Sequence, residues 1–281
     1  MNNKFFLLYI ALILFTSHVS SALVLNDHNS VYFGIQYKPA RNHLSNLLIK
    51  ENTKASDPIK TIEVLALQHD KTDDPLTAIQ TIDNFNIKYD PHYENNRLGF
   101  SAIFGYYYNK NFRIESEIFH EVFHLKNEGY KRVGFEKYFA LKFKQPTTQQ
   151  YTHVTLINNG ISTTSALINA CHDVLTRAHN IITYSCLGFG IDIVDFLSKY
   201  TTKFSYQAKL GASYTISHRT SVFTEVYYHG LFGKKFEQLP LNYTQQEPPT
   251  ITLPQPHSLT TASAILSIAY YGGSVGIKFI L

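Results

Sequence analysis

The sequence predicts an all-β fold, a transmembrane antiparallel up-and-down β-barrel of eight strands, and three observations predict it. The chain ends on a strand, because apolar Val275 and Phe279 alternate with polar Ser274 and Lys278 up to its last residues. A period of two is typical of a strand between two environments. Seven earlier segments alternate in the same way, and their connections are alternately short and long. In an outer-membrane barrel the last strand closes against the first, and the loops at one end are long.

The N-terminus predicts export from the cytoplasm. Lys4 precedes an apolar run over residues 5–15, and Ser20 and Ala22 occupy the positions that a signal peptidase recognises. The apolar run of roughly a dozen residues is too short to span a bilayer, which needs about 20. We therefore expect a signal peptide over residues 1–22 with cleavage after Ala22, followed by one barrel domain over residues 23–281.

Each strand is predicted from alternation that stops at polar or glycine-rich residues. The eight predicted strands are residues 31–37, 99–108, 112–124, 161–173, 182–193, 204–214, 221–230 and 262–281. An even number places both termini on the periplasmic side and the long connections outside. Gly272 and Gly273 predict a bulge or bend within the last strand.

The long connections do not alternate and are predicted as extracellular loops. They cover residues 38–98, 126–160 and 231–259. Residues 138–143 form one apolar run that could extend a hairpin beyond the membrane. Counting that run, or dividing the last strand at Gly272, would give ten or twelve strands instead of eight.

Aromatic residues support the membrane interpretation. The chain has 20 Tyr and 20 Phe but no Trp, and only 16% of its residues are charged. Outward aromatic side chains are expected to form girdles at the level of the lipid headgroups. They are Tyr106, Tyr108, Tyr206, Tyr214, Tyr228 and Phe279. The net charge of +4 without a basic stripe gives no indication of nucleic-acid binding.

The polar side chains on the inward faces form the candidate site. The predicted lumen-lining residues are Gln36, Arg113, Glu115, Glu117, Asn169, Asp192, Gln207, Lys209, Glu225 and Lys278. Buried charges of both signs require either pairing or water. In a barrel of eight strands they would form a paired plug, whereas in a wider barrel they would line an aqueous path.

Cys171 and Cys186 are the only cysteines and lie at equal distances from the centre of one predicted hairpin. A disulfide across neighbouring strands near the periplasmic rim is compatible with an oxidising compartment. Two buried free thiols are the alternative.

The string from His120 through Glu121 to His124 matches a zinc-protease motif, which needs a helix to bring both histidines to one metal ion. Here the string continues a strand, on which the histidines would lie about 13 Å apart. Asn127 stands where the extended motif needs Gly. We therefore predict no metal site. Because no catalytic triad, phosphate-binding loop or pair of catalytic carboxylates occurs, we expect a protein that is not an enzyme and binds no cofactor.

Several separated motifs resemble the major outer-membrane surface antigens of ehrlichial and anaplasmal bacteria. They are Phe112-Arg-Ile-Glu115, Asn159-Gly-Ile-Ser162, Asn169-Ala-Cys171, Phe204-Ser-Tyr-Gln-Ala-Lys-Leu-Gly211, Tyr227-Tyr-His229 and Tyr271-Gly-Gly-Ser-Val-Gly-Ile-Lys-Phe279. The resemblance implies an outer-membrane barrel with an exposed immunodominant surface and, for some members, porin activity. Members commonly end in Phe and carry an acidic residue where Ser274 stands, whereas this chain ends in Leu281.

Two functions follow as expectations for a protein in the bacterial outer membrane with loops exposed at the cell surface. The first is passive diffusion of small hydrophilic solutes. The second is a non-conducting surface protein whose loops, residues 38–98 and 231–259, act in host-cell adhesion or immune variation. The expected partners are outer-membrane lipid and, through the loops, host-cell surface molecules or antibodies. A soluble periplasmic β-sandwich is a third possibility.

Overall fold

The computed structural model describes residues 30–51, 61–71, 74–144, 151–175, 181–239 and 262–281. The predicted signal peptide and its cleavage site at Ala22 lie outside the described residues. In chain order the strands are β1 (Val31–Tyr37), β2 (Arg41–Leu44), β3 (Leu48–Glu51), β4 (Thr61–Leu67), β5 (Phe85–Lys88), β6 (Phe100–Tyr107), β7 (Phe112–Phe123), β8 (Tyr138–Lys144), β9 (Tyr151–Ile157), β10 (Ile161–Leu175), β11 (Ile181–Phe196), β12 (Lys199–Ser217), β13 (Thr220–Leu231), β14 (Lys235–Leu239), β15 (Ala262–Ile265) and β16 (Ile268–Ile280). One helical turn, α1 (Pro75–Ala78), and two 3-10 turns, Ile82–Asn84 and Phe135–Lys137, accompany them.

Eight of these strands close into a barrel. Neighbours pair antiparallel in the order β1, β6, β7, β10, β11, β12, β13 and β16, and β16 pairs back with β1. The closing register runs from Tyr32 opposite Ile280 to Tyr37 opposite Val275. The predicted antiparallel barrel of eight strands is therefore confirmed, and the counts of ten and twelve are wrong. Among the described residues, no helix is long and apolar enough to cross a bilayer.

Burial alternates along the barrel strands as the sequence pattern predicts. On β6, for example, Phe100 is 63% exposed and Phe104 is 54% exposed, while Ile103 between them is buried. Large apolar side chains are exposed on the outside of all eight barrel strands, in a band that suits lipid rather than water. Of the six predicted girdle aromatics, Tyr106, Tyr108, Tyr228 and Phe279 are exposed, and Tyr206 and Tyr214 are half-buried.

One end of the barrel, which we call the turn end, has short connections between its described strands. It holds the turn between β6 and β7, the turn between β12 and β13, and the end of β16. The side chain of Asn109 shapes the first turn, because its Oδ1 accepts hydrogen bonds from the backbone N–H groups of Asn111 (2.9 Å) and Phe112 (2.8 Å). The opposite end is called the loop end.

Two predicted strands are longer than the sequence indicated. The predicted segment 182–193 continues to Phe196, and the predicted segment 204–214 begins earlier, at Lys199. The two strands pair up to the turn at Leu197 and Ser198 that joins them. Both turn residues have positive φ, 52° and 59°. Because the side chain of Leu197 is 3% exposed and belongs to an apolar cluster, its burial offsets the strain of this backbone.

The last predicted strand is divided, but not at the glycines. β15 and β16 separate at residues 266–267, and the pairing of β13 with β16 passes Gly272 and Gly273 without a register shift. The predicted bulge is therefore wrong. Gly272 lies opposite Tyr227, and a Cβ at that glycine would come within 3.0 Å of the tyrosine Oη and 2.1 Å of a backbone oxygen, so glycine makes room for close packing.

The long connections contain two further sheets, which the sequence did not predict. One has the order β5, β4, β8 and β9, and the other has the order β14, β15 and β3. We call the described residues within 39–98, 124–160 and 232–267 the cap. Apolar side chains of the cap, among them Phe139 and Phe236, share one buried cluster with Phe123, Phe196 and Tyr270 of the barrel. The predicted extension at residues 138–143 is β8, a strand of the cap and not of the barrel.

A buried amide joins parts of the cap. Asn158 Nδ2 donates hydrogen bonds to the hydroxyl oxygens of Tyr89 and Tyr93, both at 3.0 Å. Burial raises the pKa of both tyrosine hydroxyls above the usual value of tyrosine. These contacts tie the segment after β5 to the segment after β9, so the cap is packed rather than loosely attached.

Candidate functional site: the barrel interior

All ten predicted lumen-lining residues point into the barrel. Each is at most 3% exposed. They are Gln36, Arg113, Glu115, Glu117, Asn169, Asp192, Gln207, Lys209, Glu225 and Lys278. A closed barrel of eight strands leaves an interior just wide enough for side chains to fill, and these side chains meet across it.

Glu117 of β7 lies at the centre of the interior. Its two carboxylate oxygens accept hydrogen bonds from six side chains, five from four different barrel strands and one from Lys38, the residue after β1. The donors are Lys38 Nζ (2.5 Å), Gln36 Nε2 (2.8 Å), Gln207 Nε2 (2.8 Å), Lys209 Nζ (3.0 Å), Ser101 Oγ (3.1 Å) and Asn169 Nδ2 (3.3 Å). A carboxylate has about four lone-pair directions, so this one is saturated.

Glu115 forms the next layer toward the turn end. It accepts hydrogen bonds from Lys209 Nζ (2.5 Å) and Tyr32 Oη (2.7 Å) and lies 3.7 Å from Arg113 Nε. Arg113 in turn pairs with Asp173 near the turn end. Lys278 Nζ is 3.9 Å from Glu115 and lies over aromatic rings, so it is held less closely.

The ion pairs together form one continuous line, which we call the charge column. It runs from the turn end toward the loop end through Asp173, Arg113, Glu115, Lys209, Glu117 and Lys38. Negative and positive groups alternate along it, so each inner member is compensated on both sides. Such alternation offsets the large cost of placing charges away from water.

A second polar group lies nearer the loop end. His229 Nε2 is 3.0 Å from Asp192 Oδ2, and Ser165 Oγ donates to the same oxygen at 2.8 Å. The imidazole ring stacks on Tyr270 with a centroid distance of 4.7 Å. Glu121, also buried, accepts a hydrogen bond from Asn96 Nδ2 of the cap at 2.5 Å. The polar interior is therefore connected to the cap.

Sequence reasoning missed several interior residues. Lys38 begins the polar stretch predicted as the first long loop, residues 38–98, yet its side chain is fully buried. It has the same parity as Gln36, so extending the alternation by one step would have found it. The same rule finds Tyr32 and Asp173, which share inward parity with predicted residues on their strands. Nothing in the sequence pattern indicated which of these groups would meet.

Tyrosine rings fill the spaces that inward glycines leave. Tyr32 lies directly opposite Gly105, and a Cβ at that glycine would come within 2.0 Å of the ring. Tyr184 stands opposite Gly211 in the same way, at 2.5 Å. These rings flank the charge column and leave no room for side chains at the glycine positions.

Cys171 and Cys186, for which the sequence allows either a disulfide or two free thiols, are joined in a disulfide. They lie directly opposite each other on β10 and β11, with Cα atoms 4.0 Å apart. Both are buried inside the barrel. Arg113 Nη2 lies 3.8 Å from Cys186 Sγ, and the guanidinium group stacks over Tyr184 at 4.3 Å.

The zinc-protease string does not lie on a helix. His120 and Glu121 belong to β7, which ends at Phe123, so successive side chains point to opposite faces. His120 faces outward, with Nδ1 2.9 Å from Thr164 Oγ1, whereas Glu121 is buried in the interior. Within the described residues, no group of three or more His, Cys, Asp or Glu side chains could hold a metal ion.

A closed barrel of eight strands with an apolar outside and a charged, paired interior defines an outer-membrane β-barrel protein. The family model described as "Surface antigen" matches residues 25–281, and the chain belongs to this family. The chain is 27% identical over 259 residues to major surface antigen 4 of Anaplasma marginale, which covers 89% of this chain and 83% of that protein. The family resemblance predicted from the motifs is confirmed, and it agrees with an outer-membrane location.

Solved structures of other outer-membrane proteins resemble the chain at lower identity. The outer membrane protein OprG of Pseudomonas aeruginosa is 11% identical with a TM-score of 0.46, covering 90% of this chain and 97% of that chain. Neisserial surface protein A is 8% identical with a TM-score of 0.37, covering 89% of this chain and 96% of that chain. The strand count given above comes from the pairing within this chain itself.

Proposed function

We propose that this surface antigen is a non-conducting outer-membrane protein that presents its cap at the cell surface. The observation that supports this most is the charge column. Its six side chains run through the interior, each is at most 2% exposed, and each is paired. An ion moving through the barrel would have to separate these pairs, and breaking one buried pair costs roughly 3–5 kcal/mol.

The cap supports the display part of the proposal. Its sheets pack on the barrel through a shared apolar cluster, so its outer loops are held in defined positions. One such loop carries Lys131, Arg132 and Val133 between Gly129 and Gly134, which both have positive φ. Val133 is 85% exposed. An exposed apolar side chain beside basic ones suits contact with an anionic partner, and we propose a host-cell surface molecule or an antibody as that partner.

Passive diffusion of small hydrophilic solutes is the second candidate. The observation that favours it is the polarity of the interior, where charged and amide side chains take the place of an apolar core. If the charge column rearranged, these groups would line a hydrated path. We infer a non-enzymatic role in either case, in keeping with membership of a surface antigen family.

Solute flux separates the two candidates. The folded protein is inserted into liposomes, and the uptake of small sugars and ions is compared with empty liposomes and with liposomes that hold a wide porin. The proposal predicts uptake equal to that of empty liposomes. Uptake above that level by the unaltered protein would contradict it and favour passive diffusion.

Binding to host cells tests the display function. In one variant Lys131, Arg132 and Val133 are all replaced by Ser, and in the control Lys110 at the turn end is replaced by Ser. Both sites are exposed. We expect the cap variant to bind host cells or opsonising antibodies less than the unaltered protein, while the control binds normally. The display function would be refuted if the cap variant, and variants in the other cap loops, bound as much as the unaltered protein.

A further inference from the structure

The disulfide lies in a part of the barrel that a second molecule cannot reach. Cys171 is 1% exposed and Cys186 is 2% exposed. Their neighbours across the adjoining strands are Arg113 on one side and Lys209 on the other. Both of these side chains belong to the charge column, and both are buried.

The turn end above the disulfide is also filled. Arg113 is held by its ion pair with Asp173 and by stacking on Tyr184. Asp173 is fixed through its backbone, since its N–H donates to the carbonyl of Asn111 at 2.7 Å, and its carbonyl accepts from Asn111 Nδ2 at 3.0 Å. Tyr32, Tyr107 and Phe223 are also buried and belong to one apolar cluster. Entry of an oxidant would require several of these contacts to open together.

Disulfide exchange needs more space than this. A thiolate must approach one sulfur of the oxidant's disulfide, expelling the other sulfur as a thiolate in the opposite direction. The product is a mixed disulfide between the chain and the oxidant. The second cysteine then attacks the chain's own sulfur in that bond, closing the internal disulfide and releasing the oxidant's second thiol. In total two protons and two electrons pass from the two cysteines to the oxidant, whose disulfide becomes two thiol groups.

We propose that an oxidant carrying a disulfide makes the Cys171–Cys186 bond on the open β10–β11 hairpin, before the barrel closes. The hairpin is suited to this step, because register alone places the two cysteines opposite each other on one face. That face also carries Asn169 and Asp173, so before closure it is polar and accessible to a water-soluble partner. The exported chain is therefore a substrate for thiol oxidation only until it is assembled into the membrane.

The order of events is tested with the full chain. Reduced chain is folded into detergent micelles in the presence of a reductant, the reductant is removed, and either glutathione disulfide or a purified thiol-oxidising protein is added. The same oxidants are added to reduced chain in denaturant. Free thiols are counted by alkylation with a large maleimide after quenching and denaturation. We expect bond formation in the folded chain to be at least about a hundredfold slower than in the unfolded chain, because access requires opening of the barrel.

A control shows that the reagents reach the turn end of the folded protein. It carries Cys171→Ser and Cys186→Ser together with Lys110→Cys in the exposed turn between β6 and β7, and its single thiol should react at once. Similar oxidation rates in folded and unfolded wild-type chain would overturn the proposal. If the reduced chain does not fold, the oxidised barrel is exposed to dithiothreitol without denaturant. Resistance then supports the proposal, and reduction as fast as in denaturant overturns it.

Discussion

The replacement Glu117→Gln tests the charge column most sharply, because it keeps the shape of the side chain and removes its charge. Glu117 accepts hydrogen bonds on both oxygens, and the glutamine amide offers one acceptor oxygen and one NH2 group that cannot accept. The donors that meet the NH2 group would therefore lose their acceptor. Lys209 keeps its ion pair with Glu115 at 2.5 Å, but the fully buried Lys38 keeps only uncharged partners. They are the amide oxygen of Gln207 at 2.9 Å and the ring faces of Phe119 and Tyr227.

The size of the effect follows from this difference. Breaking a buried ion pair by removing one partner costs roughly 3–5 kcal/mol, a large part of the 5–15 kcal/mol that stabilises a typical folded protein. We expect Glu117→Gln to lower the free energy of unfolding by about that amount. Adding Lys38→Met should restore most of the loss, because no uncompensated ammonium group then remains.

Urea unfolding in lipid vesicles, followed by circular dichroism because the chain has no Trp, measures these changes. The matched control is Glu237→Gln, which removes an exposed ion pair with Lys235 that is also 2.5 Å long. We expect no measurable shift of the unfolding midpoint in the control. A Glu117→Gln protein that unfolds within about 0.5 kcal/mol of the unaltered one would refute the reasoning, since surface substitutions have effects of that size.

Four further predictions concern the outer face, the interior packing and the cap. Leu187→Arg, near the middle of the outward face of β11, should destabilise the barrel in vesicles by roughly 2–4 kcal/mol, whereas Ile181→Arg near the turn end should cost about 0–1 kcal/mol; equal costs would contradict a lipid-facing band. Gly105→Ala should cost about 1–3 kcal/mol because its methyl group would overlap a buried tyrosine ring, and Gly273→Ala, where the nearest atom is 3.7 Å away, should be neutral in the same unfolding assay. Asn158→Ala should open the cap to limited proteolysis while the barrel stays protected. Equal cleavage of the variant and the unaltered protein would contradict the stabilising role of the Asn158 hydrogen bonds. Because burial raises the pKa of the two tyrosine hydroxyls that this amide holds, the cap should also lose stability, measured by hydrogen exchange, as the pH rises above about 10, the pKa of an exposed tyrosine.

The barrel could be predicted from the sequence because each of its strands pairs with a neighbour and faces two different environments. Alternation then marks both the strand and its inward residues, as it did for Glu117 and Lys209. The cap could not be predicted in this way. β4 pairs with β8, and β3 pairs with β15, across long stretches of chain. On β4 and β8 the consecutive residues 65–67 and 139–141 are buried, so neither face of these segments is exposed. Their alternation is therefore weak.

The charge column shows the other limit of sequence reasoning. Parity places Arg113, Glu115 and Glu117 inside, but which cation meets which anion depends on the tilt and stagger of the closed strands. Lys38 follows β1 with the same inward parity, since its backbone N–H donates to the carbonyl of Gly99 at 2.7 Å and extends the pairing of β1 with β6 by one residue. The pattern along β1 can therefore place Lys38 inside the barrel, but it does not show that the ammonium group meets Glu117.

Thiol accessibility on β12 tests most directly whether these strands enclose a dry interior and face lipid on the outside. Ser205→Cys places a nearly isosteric thiol on the inward face, where Ser205 is 1% exposed, and Ala208→Cys places one on the outward face. In folded protein in vesicles we expect Ala208→Cys to react with a lipid-soluble maleimide and Ser205→Cys to resist both that reagent and a small water-soluble thiosulfonate. Rapid modification of Ser205→Cys by the water-soluble reagent would mean that water fills the barrel, and would contradict a closed interior.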